Sequence, residues 1–373
     1  MKSIIEIFEK LEDERDNRGK KHKLIDIIVM SIYAMICGNT DSENIADWLY
    51  LRKDYFTQLL HLENGIPSAD TFLRVFAGIN PEKFMNLFIE WISTVVSSSN
   101  KIIAIDGKAI KSAAKKGSIP YIVSAYLIDI GLSFCQVKTD EKSNEITAIP
   151  ELIEILDIKD SIISIDAIGT QKNIVSKIIQ KKGHYCLNLK ENHKTMYHEV
   201  KEYFDYALKE KEEIENMLQF QTKSFGHGRI ETRNYYVVKD ISFITNKKEW
   251  KNLKNVCLVI NKRESKGNTS IEHKYYITDL DISAEKLAQI TRGHWQIENN
   301  LHWILDIHFR EDWSKTKKGN SIQNIALLRK ICYNLIKLDD SFGNISFKKK
   351  LNRYNYDFSL LDNLIFNVIP HSF

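Results

Sequence analysis

The amino-acid sequence predicts an α/β protein in which a helical segment precedes a mixed five-stranded sheet. Through residues 1–100, apolar side chains recur every three or four positions, as on the buried faces of helices. From Lys101 onward the pattern changes to short β-rich runs separated by turn residues. Extended and helical segments then alternate, which is typical of a sheet completed by crossover units.

Composition narrows the class of protein. The chain has 373 residues, 43% of them hydrophobic and 27% charged, which indicates an ordinary folded chain with more than one domain. A net charge of +4 does not by itself demonstrate a polyanionic partner. Five dispersed cysteines without a CxxC pair favour reduced core residues. No uncharged run approaches the length of a membrane span, so we expect a cytoplasmic protein.

The strand order predicts how the sheet is connected. Three extended runs, IIAID, YIVSAYLI and LSFCQVK, precede the helix ITAIPELIEIL. The strand SIISID, a second helix, the strand HYCLNLK and a third helix complete the order β-β-β-α-β-α-β-α. A ribonuclease H-like sheet has this order and places its first and fourth strands side by side.

Four regions follow from these patterns. Residues 1–100 form a helical N-terminal domain that could contact DNA, and residues 341–373 form a C-terminal tail. Residues 101–222 and 281–340 form the ribonuclease H-like core. Between the two parts of the core, residues 223–280 read as a β-rich insertion, because three further extended runs occur there.

Three acids are candidates for a metal site. Asp106 and Asp166 each end an apolar strand and are followed closely by a glycine, which would permit a sharp departure from the sheet. Strands often end in aspartate because it favours turns, but two such ends would share one cleft if their strands are neighbours. Glu298 interrupts an apolar helical stripe, where a carboxylate is costly unless it pairs or binds metal.

Several long phrases together resemble a known family. They are IAIDGK, SIDAIGTQK, KSNEITAIPELI, HYCLNLKENH, HGRIETR and RGHWQIENNLHWILDIHFRED followed by NIALLRK. In these phrases the chain resembles the H-repeat-associated insertion-sequence transposases (ISAs-type) of the DDE class, from about Asp16 to about Leu338.

The resemblance implies a function and a site. Asp106, Asp166 and Glu298 would be the catalytic triad, holding two Mg²⁺ ions, for which Mn²⁺ could substitute. The substrate would be double-stranded DNA, both the element ends and the target, and the enzyme would act as a homo-oligomer on paired ends. Hairpin-forming relatives surround the glutamate with a tyrosine, an arginine and a lysine.

In this chain those three positions are occupied by Thr291, His294 and Leu305. The departure leaves open whether excision passes through a DNA hairpin.

Basic and polar residues near the expected cleft could bind DNA phosphates. An ordinary solvated surface would account for each of them equally well. The candidates are Lys108, Lys111, Lys172, Lys190, His227, Arg229, Arg233, Arg292, His294 and His302.

Two other functions are compatible with the sequence. One is a zinc-dependent hydrolase built on His294, Glu298 and His302, which stand one turn apart on a helix, although their spacing is not that of HExxH. The other is a silent or domesticated copy that binds DNA without cutting it.

Overall fold

The structure is a computed structural model that describes residues 3–111, 114, 119–139, 145–226, 228–265, 267–314 and 316–367. The strands are β1 Ile102–Ala109, β2 Tyr121–Leu127, β3 Leu132–Lys138, β4 Ile162–Ile165, β5 His184–Leu189, β6 Leu218–Gly226, β7 Arg229–Val238, β8 Asn255–Ser265 and β9 Asn268–Thr278. The helices are α1 Ile4–Phe8, α2 Leu24–Ile36, α3 Ser42–Tyr50, α4 Lys53–Leu60, α5 Ala69–Gly78, α6 Pro81–Ser93, α7 Glu145–Ile155, α8 Lys172–Gln180, α9 Lys194–Ala207, α10 Lys211–Glu215, α11 Ala284–Gln296, α12 Trp303–Ile307, α13 Ser321–Leu338, α14 Phe347–Tyr356 and α15 Phe358–Asp362.

The N-terminal helices begin where side chains can cap them. Ser3, Asp41, Ser68 and Asn80 each accept a hydrogen bond from a backbone N–H of the first turn that follows. Helices α2 and α5 pack against α13, which lies near the C-terminal end of the chain. The helical segment and the sheet therefore share one continuous hydrophobic core.

The sheet is larger than the sequence predicts. Its strand order is β3-β2-β1-β4-β5-β9-β8-β7-β6, so the five expected strands are the first part of a nine-stranded sheet. The expectation of a five-stranded sheet is therefore wrong. An exposed edge on β5 would leave a row of backbone donors and acceptors unpaired, and β9 pairs with that edge antiparallel.

One buried carboxylate fastens the two parts of the sheet together. Asp279, which follows β9 and is 3% exposed, accepts hydrogen bonds from the backbone N–H of Tyr185 at 2.7 Å. The same carboxylate lies 2.7 Å from Nδ1 of His184. The hydroxyl of Thr278 donates to the carbonyl of Tyr185 at 2.6 Å. These bonds fix the position of the β-rich segment relative to β1 and β4.

The C-terminal helices fold back on the N-terminal ones, and Tyr33 donates a hydrogen bond to Asp362 at 2.6 Å. All five cysteines are free, and four of them are buried, as the sequence predicts. Within the described ranges, the helices are all too short or too polar to cross a membrane.

The hydrogen bonds of Asp279 at the junction between β5 and β9 lead to a testable prediction. Asp279→Ala should lower the free energy of unfolding by about 2–3 kcal/mol, because the buried N–H of Tyr185 loses its acceptor. Asp281→Ala, which removes an exposed carboxylate paired only with Lys239, should change it by less than about 0.5 kcal/mol. Urea denaturation measures both, and equal losses would show that this carboxylate does not hold the junction.

Candidate active site

Asp106 lies on β1 just beyond the last pair that joins this strand to β4. Parallel pairing ends at Ile105 opposite Ile165, whereas antiparallel pairing with β2 continues and sets Asp106 opposite Ser124. The strand itself runs on to Ala109. The side chain of Asp106 is 16% exposed, at a point where the sheet opens between β1 and β4.

Asp166 stands at the matching point of β4. It follows Ile165 directly, and its carboxylate accepts a hydrogen bond from the backbone N–H of Ile168 at 3.0 Å. That bond caps a short 3₁₀ turn, Ala167–Gly169. The structure thus places the two aspartates at adjacent strands of the sheet.

The glycines that follow the aspartates lie in close contact with other side chains. Neither Gly107 nor Gly169 adopts a left-handed backbone conformation. A Cβ atom on Gly169 would lie 2.3 Å from Cγ2 of Ile165, and a Cβ atom on Gly107 would lie 2.3 Å from Cδ of Glu145. The expected departure from the sheet is absent after Asp106, where β1 continues to Ala109, and present after Asp166, where the 3₁₀ turn begins. Neither glycine provides it through a left-handed conformation.

Glu298 lies in a π-helical turn, Ile297–His302, which joins α11 to α12. The neighbouring Ile297 and Leu301 are buried, whereas Glu298 is exposed at the edge of the helix. The sequence predicts a glutamate within a buried stripe, whereas Glu298 lies beside the buried face that carries Ile297 and Leu301. Helix α11 packs on β1 and β4, which brings this turn to the aspartates. Such turns are frequent at functional sites.

The acids influence one another electrostatically. Burial raises the pKa of Asp106 to about 8, and the negative charges of Glu298, Glu145 and Asp166 contribute to the rise. Burial and the charge of Asp166 also raise the pKa of Glu298. Glu145 is a fourth acid that the sequence does not single out. The site therefore gathers like charges from four separate segments.

Metal binding can be tested against this donor set. Among the described residues, no three His, Cys, Asp or Glu side chains already stand close enough together to hold a metal ion. The charges of Glu298, Glu145 and Asp166 nevertheless contribute to the raised pKa of Asp106, and carboxylate oxygens are the ligands that Mg²⁺ prefers. A divalent cation between them would relieve their repulsion, so the residues fit such an ion chemically.

The two histidines on the same helix are neutral. Burial lowers the pKa of His294 to about 4 and the pKa of His302 to about 3. Nδ1 of His302 lies 3.5 Å from Oδ2 of Asp106, while its Nε2 is buried without a hydrogen-bond partner in the described part of the chain. Buried neutral rings of this kind are poorly suited to neutralise DNA phosphates.

Lys108 forms ion pairs with carboxylates of the protein itself and not with the acids of the triad. Its ammonium forms ion pairs with Asp306 and with Glu311 at 2.7 Å, and its side chain is 11% exposed. Glu311 is buried, which opposes its ionisation, but Lys108 and the buried Lys330 and Arg329 lower its pKa to about 2. This cluster joins the end of β1 to the helix that follows the π-turn.

The other proposed DNA contacts fall into three groups. Lys111 and Lys190 are exposed, and Lys172 forms an exposed ion pair with Glu249. His227 lies outside the described residues. Arg229, Arg233 and Arg292 line a common groove.

The groove runs between the β-rich part of the sheet and α11, and it ends beside the π-turn. Alternate residues of β7, β8 and β9 form its floor, and Arg292, Trp295 and Asn299 form the helical wall. Among the described residues, six cationic side chains line the groove and exceed its two carboxylates by four: Arg229, Arg233, Lys262, Arg263, Lys274 and Arg292 against Glu231 and Glu272. Lys274 lies 4.3 Å from the ring centre of Trp295. The sequence predicts three of these cations and misses Lys262, Arg263 and Lys274, because strand pairing alone brings them together.

Comparisons with known proteins agree with this geometry. A family model described as Transposase DDE domain matches residues 97–335, and one described as DDE_Tnp_1-associated matches residues 5–92. The chain is 36% identical to the H repeat-associated putative transposase YhhI of Escherichia coli strain K12, over 98% of each chain. This chain belongs to the DDE transposases. The resemblance to the H-repeat-associated group is thereby confirmed.

A second curated relative and one solved structure are also described as transposases. The transposase is 36% identical to the putative transposase YncI of Escherichia coli O157:H7, covering 94% of this chain and 91% of that protein. A solved structure of a piggyBac transposase synaptic complex with hairpin DNA aligns with 96% of this chain and 76% of that one, at 10% identity and a TM-score of 0.44. The DDE domain implies dependence on a divalent metal ion and DNA as the partner.

Two positions where the transposase departs from hairpin-forming relatives lie in its core. Thr291 is 5% exposed, and its hydroxyl donates a hydrogen bond to the carbonyl of Leu287 at 2.8 Å. Leu305 is fully buried. Both side chains therefore support packing of the helix.

The raised pKa of Asp106 makes a prediction about stability. Between about pH 4 and pH 8 the unfolded transposase releases this proton and the folded one retains it, so wild-type stability should fall as pH rises. With metal chelated, Asp106→Asn should be more stable than wild type by roughly 1–3 kcal/mol at pH 8, and by less at pH 4. Denaturant titrations across this range measure the difference. Added Mg²⁺ should remove it, and parallel profiles without metal would contradict the assigned cause.

Proposed function

We propose that this transposase cuts DNA at the ends of an insertion sequence and joins the freed end to a target by in-line phosphoryl transfer. The observation that carries the proposal is the convergence of Asp106, Asp166 and Glu298, whose charges oppose one another at one edge of the sheet. We further propose that β1 to β5 form a ribonuclease H-like core, and that residues 1–100 contribute to DNA binding.

The triad would hold two Mg²⁺ ions, and Mn²⁺ could replace them. When bound, such ions activate a water or a terminal DNA hydroxyl and stabilise the leaving oxygen. The carboxylates of Asp106 and Asp166 are held by neighbouring strands, so they can stay fixed while the DNA moves from cleavage to strand transfer. Glu298 would complete the set from the helix on the opposite side of the cleft.

The cationic groove would position the DNA. It ends at Asn299 and Asn300, next to Glu298, so a duplex lying along it would lead to the triad. Basic side chains in such a groove bind phosphates without reading sequence. Trp295, which is 43% exposed, could stack on an unpaired base at the end of the duplex. The enzyme would work as a homo-oligomer on two paired ends.

Cleavage assays test the triad. With labelled element ends and Mg²⁺, Asp106→Asn, Asp166→Asn and Glu298→Gln should each lower the rate by more than about 100-fold, a larger loss than outer-sphere partners give. DNA binding should persist. Glu285→Gln, an exposed acid on α11, is the matched control and should cut at the wild-type rate.

The outcomes separate the alternatives. Equal cutting by wild type and all variants would show that the triad is misassigned. Binding of the ends without cutting by the wild-type protein would favour a silent DNA-binding copy. Activity with zinc on esters or peptides, and none on DNA, would favour the hydrolase.

Salt dependence tests the groove. Arg263→Ala and Arg292→Ala should each weaken binding to DNA of any sequence, and each should reduce the slope of log affinity against log salt by about 1, because each removes one phosphate contact. Lys239→Ala, an exposed lysine outside the groove, should leave the slope unchanged. Fluorescence anisotropy at several salt concentrations measures the slope. If all three variants have the wild-type slope, DNA does not bind along the groove.

A further inference from the structure

Glu145 lies against the active site although it comes from a different part of the chain than the triad. It is the first residue of α7, and its side chain lies over the Cα of Gly107, the residue that follows Asp106. A Cβ atom at position 107 would lie 2.4 Å from Oε1 of Glu145. A side chain at position 107 would therefore displace this carboxyl group, the flexible end of Glu145, from its place beside Asp106.

The packing of α7 fixes Glu145 in this place. The helix buries Ala148, Ile149, Leu152 and Ile153 against β2 and β3, and it also contacts the turn that follows Asp166. An acid in the first turn of a helix is ordinarily favoured by the helix dipole and remains in solvent. Glu145 is instead partly buried against Gly107, and burial and the charge of Asp166 raise its pKa.

No basic side chain among the described residues lies within 4.0 Å of the triad or Glu145, apart from the neutral His302 beside Asp106. Lys108 is paired with Asp306 and Glu311. Nε2 of His302, the ring nitrogen other than the one beside Asp106, is buried without a hydrogen-bond partner among the described residues. Within the described residues, the triad and Glu145 thus have no ion pair with a Lys or Arg side chain, although the charge of Lys274 opposes the rise in the pKa of Glu298.

We propose that Glu145 is a fourth carboxylate of the metal centre and binds, directly or through an ordered water, the divalent cation on the Asp106 side. This inference rests on the proposed function of the triad. The carboxyl group of Glu145 lies above Gly107, on the side of the cleft formed by α7. It would therefore add a ligand oxygen from a side that the triad residues do not occupy. Its role toward the cation is binding and not proton transfer.

Metal titration of the full-length protein tests the assignment. Mn²⁺ is the probe, and calorimetry and the shift of the melting temperature between chelator and Mn²⁺ are the readouts. Glu145→Gln should weaken Mn²⁺ binding by about 10-fold or more, whereas Glu151→Gln, which alters an exposed acid on the same helix, should stay within about twofold of wild type. In chelator, Glu145→Gln should melt at or above the wild-type temperature, because a repulsive charge has been removed.

A second variant separates charge from folding. Gly107→Ala keeps Glu145 but pushes its carboxyl away, so it should weaken Mn²⁺ binding in the same way. In cleavage assays the Mn²⁺ concentration for half-maximal rate should rise about 10-fold in Glu145→Gln, and saturating metal should restore most of the rate.

The opposite results are clearly distinguished. If Glu145→Gln binds Mn²⁺ like wild type while Asp106→Asn and Glu298→Gln do not, Glu145 is outside the metal centre and the triad stands. If Glu145→Gln melts lower than wild type in chelator with unchanged Mn²⁺ affinity, its role is structural. If the wild-type protein itself shows no saturable Mn²⁺ binding, the metal-dependent function fails together with this inference.

Discussion

Like charges gathered at one edge of a sheet repel, and the site around Asp106 exists because separate packing contacts keep the segments that carry them from moving apart. Parallel pairing of β1 with β4 fixes Asp106 and Asp166, and the packing of α11 on the same strands brings in Glu298. The ion pairs of Lys108 join the end of β1 to the helix beyond the π-turn. These contacts hold the acids together against their mutual repulsion, which a bound cation would relieve.

Much of this architecture could be predicted from local patterns. Short apolar runs that end in aspartate define β1 and β4, and their order along the chain predicts that they are neighbours. The nine-stranded sheet could not be predicted in this way, because periodicity shows that β9 is a strand but not that it pairs with β5. The π-turn was also hidden, since widening a helix by one residue leaves little trace in an apolar pattern.

Glu145 illustrates a different limit. Its position at the start of a helix is where an acid is expected for reasons of helix stability alone, so the sequence gives no sign of a second role. The informative residue was Gly107, because it packs against Glu145, which is 38 positions further along the chain. This contact becomes visible only when the space around the glycine is known.

The π-turn has a consequence for how this site can change. It contains one more residue than an α-helical turn would, so the helix before it and the helix after it are out of step by about 100°. Loss of a single residue from this turn would restore an ordinary helix and rotate the acid away, while the apolar residues on both flanks could keep their places. The geometry of the site is therefore more vulnerable to a change of length in this segment than to most exchanges of one side chain for another.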